Sequence, residues 1–158
     1  MSSLVGKKAP EFIAKAIVNG NELIDDFSLK QYLEKKYVVL LFYTKDFSGI
    51  CPHELLDFQE KIEEFQSRNT QIVACSVDSE ETHMAWLRTS KENGGIKGVN
   101  FPLISDHSKL ITSSFDVLFG EYFTDENHEL AADGPMIPLR GLFLICLLYT
   151  SPSPRDSL

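Results

Sequence analysis

The chain has 158 residues, of which 43% are hydrophobic and 24% are charged. A chain of this length buries about 70% of the surface that its unfolded form exposes, so we expect one self-sufficient core. The formal net charge of -8 repels phosphate backbones and anionic lipid head groups, and no stripe of basic residues opposes it. These properties argue against a disordered chain, a disulfide-stapled miniprotein, and a partner made of nucleic acid or membrane.

Targeting signals and cysteine usage indicate a compartment. Residues 1–8 lack the apolar stretch of a signal peptide, and no segment approaches the roughly 20 apolar residues of a membrane helix. Cys51, Cys75 and Cys146 form no CxxC pair and no dense framework, which is typical of reduced thiols. We therefore expect a cytoplasmic protein.

The first part of the chain predicts a hairpin and a central strand. Two short strands, 12–18 and 22–27, flank Asn19-Gly20, a pair that tolerates the positive φ of a hairpin turn. Residues 37–43 form a continuous run of aliphatic and aromatic residues. Such a run is typical of a strand that is covered on both faces.

Helices and strands then alternate. Apolar residues from Leu55 to Phe65 recur at helical spacing and predict one amphipathic helix that begins near Cys51. The further predicted elements follow in chain order: a strand over 71–77, a helix over 79–91 with Asp78 as N-cap and Glu81 as its capping-box partner, a strand over 101–104, a short helix over 108–115, a loop over 121–138 and a strand over 139–145. This alternation favours an α/β fold with parallel central strands and a later strand free to run antiparallel.

The end of the chain differs from the rest. We expect one domain over residues 1–145, followed by the Ser- and Pro-rich segment 146–158. A flexible native terminus would have this character. The string CLLYTSPSPRDS also resembles the conceptual translation of a transposase sequencing adapter, which is the interpretation we favour. We therefore expect a non-native, disordered tail in which Cys146 has no function.

Cys51 lies where a predicted buried strand has ended and a helix begins. Ligands of α/β sheets bind beyond the carboxyl ends of strands, and the free N–H groups at a helix start favour a thiolate. Pro52 suits the first helical turn, and Glu54 is placed to accept a hydrogen bond from the loop backbone. Because Glu54 stands where a CxxC motif would have its second cysteine, the chemistry must use a single thiol. A small core cysteine is the alternative that this reasoning leaves open.

Other candidate residues have structural interpretations. Cys75 is expected to be an inert buried thiol within its strand. His53, Cys51 and Glu54 are too close together in sequence to surround a metal ion, so we expect no metal site. Trp86 is expected to pack in the core. The remaining histidines are expected to be solvated: His83, His107 and His128.

Residues 43–54, YTKDFSGICPHE, resemble the active-site segment of the peroxiredoxins, in particular the alkyl hydroperoxide reductase C and thiol-specific antioxidant group. Other matching stretches occur in the same order: 5–12 (VGKKAPEF), 73–79 (VACSVDS), Ala85-Trp86 and 140–143 (RGLF). The resemblance covers residues 4–145. It implies a thioredoxin-like three-layer α/β fold with a central mixed sheet and an N-terminal β-hairpin, without the last strand and helix of the family.

The resemblance also implies roles for individual residues. Cys51 would be the peroxidatic cysteine, which attacks a hydroperoxide and becomes a sulfenic acid. Arg140 would hold the thiolate and polarise the peroxide, and its place in an apolar run argues against an exposed ion pair. Ser48 stands where the family has threonine and offers the same hydroxyl to a bound peroxide. The family counterpart of Trp86 lies close to the reactive thiol.

Two residues of the active-site loop depart from the family. Thr44 replaces a proline and Gly49 replaces a bulky apolar residue, and both changes weaken the preorganisation of the loop. In typical two-cysteine members the resolving cysteine follows a further strand and helix, beyond the part of the family that residues 4–145 resemble. The resemblance therefore assigns no resolving cysteine to residues 4–145. From the changes at Thr44 and Gly49 we expect a less efficient peroxidase than typical members.

The implied function is a cofactor-free thiol peroxidase that reduces hydrogen peroxide and small alkyl hydroperoxides in antioxidant defence. Its reductant would be a thioredoxin-like or other thiol donor. The resemblance also implies a homodimer or a ring of dimers, an expectation that is weaker for a chain without the last strand and helix of the family. The departures at Thr44 and Gly49 leave a second hypothesis, a non-catalytic holdase or interaction module.

Overall fold

The computed structural model describes residues 4–49 and 51–146. Two 3-10 helices, Leu29–Tyr32 and Lys91–Asn93, accompany the main elements. These main elements are, in chain order, β1 (Ala14–Val18), β2 (Glu22–Phe27), β3 (Tyr37–Phe42), α1 (Cys51–Glu60), α2 (Ile62–Ser67), β4 (Thr70–Ser76), α3 (Glu80–Arg88), β5 (Leu103–Ser105), α4 (Leu110–Ser114), β6 (Leu118–Thr124), β7 (Leu130–Pro138) and β8 (Gly141–Cys146).

Six strands form a mixed sheet in the order β2-β1-β5-β4-β3-β8. Strands β3, β4 and β5 are parallel, whereas β1 is antiparallel to β5 and β8 is antiparallel to β3. The predicted central mixed sheet is therefore confirmed. Because the parallel strands end at the same side of the sheet, the loops that follow β3, β4 and β5 meet there. The loop after β3 leads to Cys51.

Both faces of this sheet are covered, because successive side chains of a strand point to opposite sides. Leu41 faces α1 and α3 and shares a buried cluster with Leu55 and Trp86. Phe42 faces the opposite way and shares a second cluster with Ile111 of α4. The molecule thus has three layers, and the uninterrupted apolar run of β3 is explained by burial on both sides.

The predicted N-terminal hairpin is confirmed, with β1 beginning at Ala14. Asn19 and Gly20 have φ angles of 54° and 78°, the left-handed region that this turn requires. A Cβ atom at Gly20 would lie 3.0 Å from the carbonyl oxygen of Val99. A side chain at this position would therefore be both strained and crowded.

The structure corrects two helix predictions. The single helix predicted after Cys51 is divided into α1 and α2 at Lys61, whose φ and ψ of -101° and 13° depart from helical values. The N-cap of α3 is Ser79, whose hydroxyl accepts the N–H of Thr82. Asp78 is not the cap because its carboxylate accepts the N–H of Asp46 and the hydroxyl of Ser76 instead.

The loop predicted over residues 121–138 is wrong. Strands β6 and β7 form an antiparallel hairpin, but most of their side chains are exposed, so the sequence shows no apolar alternation. Gly120 and Gly134 are required by the close approach of the strands, because a Cβ atom at Gly134 would lie 2.7 Å from the Cα atom of Gly120. The glycines that suggested a loop therefore belong to the hairpin.

The last predicted strand is confirmed as β8, one residue longer at its carboxyl end than expected. Cys146 belongs to β8 and lies opposite Tyr37 of β3, so the expectation that it begins a disordered tail is wrong. The rest of the predicted tail, residues 147–158, lies outside the described residues. Among the helices that the structure describes, none is long and apolar enough to cross a membrane.

Candidate active site

Cys51 is the first residue of α1 and follows the loop that leaves β3. Its side chain has no exposed surface and belongs to the buried cluster beneath α1 and α3. The Oγ1 atom of Thr44 lies 3.3 Å from Sγ, and the N–H of Cys51 donates to Oγ of Ser48 at 3.4 Å. The structure thus brings together the three loop residues that the sequence analysis selected.

Opposing effects act on the pKa of Cys51. Burial raises the pKa. Hydrogen bonds from the Ser48 and Thr44 hydroxyls and from the backbone of Thr44 and Lys45 lower it by more than burial raises it, so the pKa is below its ordinary value. The positive end of α1 acts in the same direction. The sulfur is therefore buried, as the alternative of a core cysteine required, yet its polar contacts favour the thiolate.

Cys75 provides the contrast within the same chain. It is also fully buried, and burial together with the charge of Asp106 raises the pKa of its thiol well above the ordinary value. The prediction of a buried Cys75 thiol is confirmed. Burial alone thus disfavours the thiolate, and the hydroxyls around Cys51 make the difference.

Arg140 does not lie within a strand, contrary to the sequence analysis. It precedes β8, and its side chain is 43% exposed, so the predicted shielding by apolar neighbours is wrong. Its Nη1 atom donates to Oε1 of Glu54 at 2.6 Å. Glu54 therefore binds Arg140, rather than the loop backbone as predicted. Within residues 4–49 and 51–146, the structure shows no hydrogen bond from Arg140 to Cys51, and its predicted action on the thiolate and peroxide stays a prediction.

Trp86 and Pro52 support the loop from the core. Trp86 is fully buried on α3, as predicted, and its indole N–H donates to the carbonyl of Gly94 at 2.9 Å. Its ring lies 5.7 Å from the ring of Tyr43 and 6.1 Å from that of Phe47, measured between centroids. Pro52 is buried in the first turn of α1. The loop that carries Thr44 and Ser48 thus rests on an aromatic base.

Sequence reasoning missed a buried polar network beside the loop. The side chains of Asp46 and His83 have no exposed surface, and Oδ2 of Asp46 lies 2.6 Å from Nδ1 of His83. The Tyr43 hydroxyl donates to Oδ1 of Asp46 at 2.6 Å, and Nε2 of His83 lies 2.9 Å from the carbonyl oxygen of Ile104. The expectation that His83 is solvated is wrong. Its spacing from Trp86 and Leu87 on α3 could have placed it on the buried face.

The network ties the loop after β3 to α3 and β5. Burial raises the pKa of Asp46 despite the opposing contacts with His83. Burial also lowers the pKa of His83, but the hydrogen bond and the charge of Asp46 more than compensate and leave it above 6.5. Asp46, Asp78 and His83 place three potential metal ligands within 4.8 Å. Protein groups already use these atoms in hydrogen bonds, so we assign the cluster a structural role.

A model of the AhpC/TSA family matches residues 5–146. The chain belongs to this family. The chain is 39% identical over 142 residues to alkyl hydroperoxide reductase C of Helicobacter pylori, a match that covers 90% of this chain and 65% of that protein. It is 42% identical to the chloroplastic 2-Cys peroxiredoxin BAS1 of Hordeum vulgare, which covers 90% of this chain and 60% of the relative. The chain thus spans less than two thirds of the length of these relatives.

A solved structure agrees with this family membership. Reduced 2-Cys peroxiredoxin of Plasmodium vivax superposes with a TM-score of 0.79 at 35% identity, covering 92% of this chain and 80% of that one. The predicted thioredoxin-like α/β fold is confirmed.

Proposed function

We propose that this chain acts as a thiol-dependent peroxidase that reduces hydrogen peroxide and small alkyl hydroperoxides in antioxidant defence. The observation that carries the proposal is the placement of Cys51 at the start of α1, with its sulfur within reach of the Thr44 hydroxyl. The names of the relatives support it. A non-catalytic holdase is not favoured, because an inert core cysteine would not need these polar contacts.

The proposed reaction uses the Cys51 thiolate as nucleophile. The sulfur attacks the terminal oxygen of the hydroperoxide, an S–O bond forms and the O–O bond breaks, and the leaving alkoxide or hydroxide takes up a proton. Cys51 is oxidised by two electrons to sulfenic acid while the peroxide becomes an alcohol or water. Because Sγ has no exposed surface, the loop over residues 44–49 must move slightly to admit the peroxide.

The sulfenic acid is then reduced by a thiol that is neither Cys75 nor Cys146 of the same chain. Cys75 is buried within β4. Cys146 pairs with the first residue of β3, whereas Cys51 follows the last, which separates them by about 17 Å of strand. A disulfide needs Cα atoms within about 7 Å. The proposal therefore includes a thiol other than Cys75 and Cys146, which attacks the sulfenic sulfur with release of water, and a second thiol that frees Cys51.

A thioredoxin-like protein is the proposed donor of these thiols, and a reducing compartment such as the cytoplasm is the proposed location. A relative from Echinococcus granulosus, 38% identical over 92% of this chain, is named thioredoxin peroxidase. We also propose a homo-oligomer. A Plasmodium yoelii relative that is modified at its N-terminus forms an artifactual octamer. In this chain the outward face of β8 exposes Leu142 and Leu144, an apolar surface suited to a partner copy.

Trapping of the sulfenic acid tests the proposal. Reduced protein is mixed with one equivalent of hydrogen peroxide in the presence of dimedone, and modified peptides are located by mass spectrometry. We expect the adduct on Cys51. Cys146 is exposed and serves as an internal control for unspecific oxidation. A protein that carries the adduct on Cys146 but not on Cys51 would contradict the proposal.

Replacement of Arg140 tests its proposed action on the peroxide. Its guanidinium is bound to Glu54, three residues beyond Cys51 on α1, and we propose that its donors act on a peroxide bound at Cys51. We expect Arg140→Met to lower the second-order rate constant of Cys51 oxidation by about 100-fold, measured by stopped-flow fluorescence of Trp86. Arg88→Met, at an exposed position of α3, is the matched control. An unchanged rate would limit Arg140 to its ion pair with Glu54.

A further inference from the structure

Thr44 places its side-chain hydroxyl against the reactive sulfur. It leaves the end of β3, is partly buried, and its Oγ1 atom lies 3.3 Å from Sγ of Cys51, seven residues further along the chain. When Cys51 is a neutral thiol, either atom could be the hydrogen-bond donor. Once Cys51 is a thiolate, the hydroxyl must be the donor, because the sulfur has no proton left to donate.

The backbone of Thr44 adds a second contribution. It also lowers the pKa of Cys51, as does the backbone of the next residue, Lys45. A proline at this position, as in the family that the loop resembles, has neither a hydroxyl nor a backbone N–H. Thr44 thus supplies polar groups to the sulfur that a proline would lack. The expectation that this substitution only loosens the loop is therefore incomplete.

Building on the proposed function, we propose that Thr44 is a further catalytic residue, whose hydroxyl donates a hydrogen bond to the Cys51 thiolate and holds the sulfur ready for the peroxide. Ser48 is placed differently, because its Oγ accepts the N–H of Cys51 and so also holds the start of α1. The hydroxyl of Thr44 has no other partner among the hydrogen bonds of the described residues that would compete for its proton.

Such a donor has two opposite effects on reactivity. It increases the fraction of Cys51 that is thiolate, but it also withdraws electron density, so each thiolate reacts more slowly. The midpoint is the pH at which half of the Cys51 molecules are thiolates. Loss of one hydrogen bond of ordinary strength to the thiolate raises this midpoint by about 0.5 to 1 pH unit. The reaction rates of protein with and without the hydroxyl are therefore expected to cross as pH rises. A residue that merely stabilised the loop would change the rate in one direction at every pH.

The test measures the rate of Cys51 alkylation by iodoacetamide against pH, which needs no peroxide and is independent of the proposed peroxidase activity. Thr44→Val keeps the shape of the side chain and removes the hydroxyl. We expect its midpoint about 0.5 to 1 pH unit above that of the wild type, with slower alkylation below both midpoints and faster alkylation above them. Thr44→Ser should restore the wild-type midpoint, and Thr124→Val, at an exposed position of β6, should leave it unchanged.

Thr44→Ala provides a second variant without the hydroxyl, should valine disturb the loop, and the same upward shift is expected. Coinciding midpoints for the wild type and both variants would overturn the proposal, as would a Thr44→Ser variant that behaves like Thr44→Val. Oxidation of wild-type Cys51 by peroxide is measured separately. If it fails while the midpoints shift as expected, the peroxidase function is wrong and the hydrogen bond stands.

Discussion

Cys51→Ser is expected to lose all measurable peroxidase activity with thioredoxin and thioredoxin reductase as the reducing system. The contacts that favour the Cys51 thiolate cannot do the same for an aliphatic hydroxyl, whose pKa lies far higher. Serine is nearly isosteric with cysteine, and its hydroxyl can bind Thr44. The variant should therefore fold, which near-ultraviolet circular dichroism would show.

Cys146→Ser and Cys75→Ser are the matched controls for this loss. Cys146 lies at the other end of β3 from Cys51, and Cys75 is buried on β4, so neither should take part in the oxidation step. Both variants are expected to retain the wild-type rate of Cys51 oxidation. Peroxidase activity that survives Cys51→Ser but disappears in Cys146→Ser would assign the reaction to Cys146 and reject the proposed role of Cys51.

Asp46→Asn is expected to lower the free energy of unfolding by about 3 kcal/mol, because it leaves a buried histidine without its counter-charge. The carboxylate has no exposed surface and contacts His83 and the Tyr43 hydroxyl at 2.6 Å each. Urea unfolding followed by tryptophan fluorescence measures the change. Asp57→Asn, the same substitution at an exposed site of α1, should change stability by no more than about 0.5 kcal/mol.

The same pair predicts how stability depends on pH. The pKa of His83 is raised above 6.5 in the folded chain, so its protonation stabilises the fold fully below pH 6.5, and this contribution is lost as pH rises through the folded pKa. Asp46 and Asp78, whose charges both raise this pKa, and the Tyr43 hydroxyl face the ring. The free energy of unfolding of the wild type should fall as pH rises above 6.5, whereas that of Asp46→Asn should fall less. Equal slopes would show that the pair does not carry the pH dependence.

The strands of the sheet were predictable where burial was reflected in the local sequence. Residues 37–43 form a continuous apolar run and residues 72–75 a shorter one, and both proved to lie in strands that are covered on two faces. The hairpin turn at Asn19-Gly20 was predictable because its residue types select the backbone conformation. Cys51 at the start of α1 was predictable because a helix start follows a strand end.

The missed features depend on contacts between distant segments. The β6–β7 hairpin has little buried apolar surface, so its pairing leaves no periodic signal in the sequence. The contact between Asp46 and His83 joins loops and helices that only the sheet brings together, and Arg140 was placed in a strand because its neighbours are apolar. The departure at Thr44 was visible in the sequence, but the distance of its hydroxyl from the sulfur required the fold.

The pairing of β8 with β3 has a consequence for synthesis of the protein. Tyr37 lies opposite Cys146, so strand β3 is translated long before its neighbour. Joining segments so distant in sequence carries a large entropic cost and slows folding. On the ribosome, β3 can be joined by β4 while its other backbone edge stays open. The β8 side of the sheet is therefore completed late, and the nascent chain has an interval in which that edge of β3 is available to chaperones or to other nascent chains.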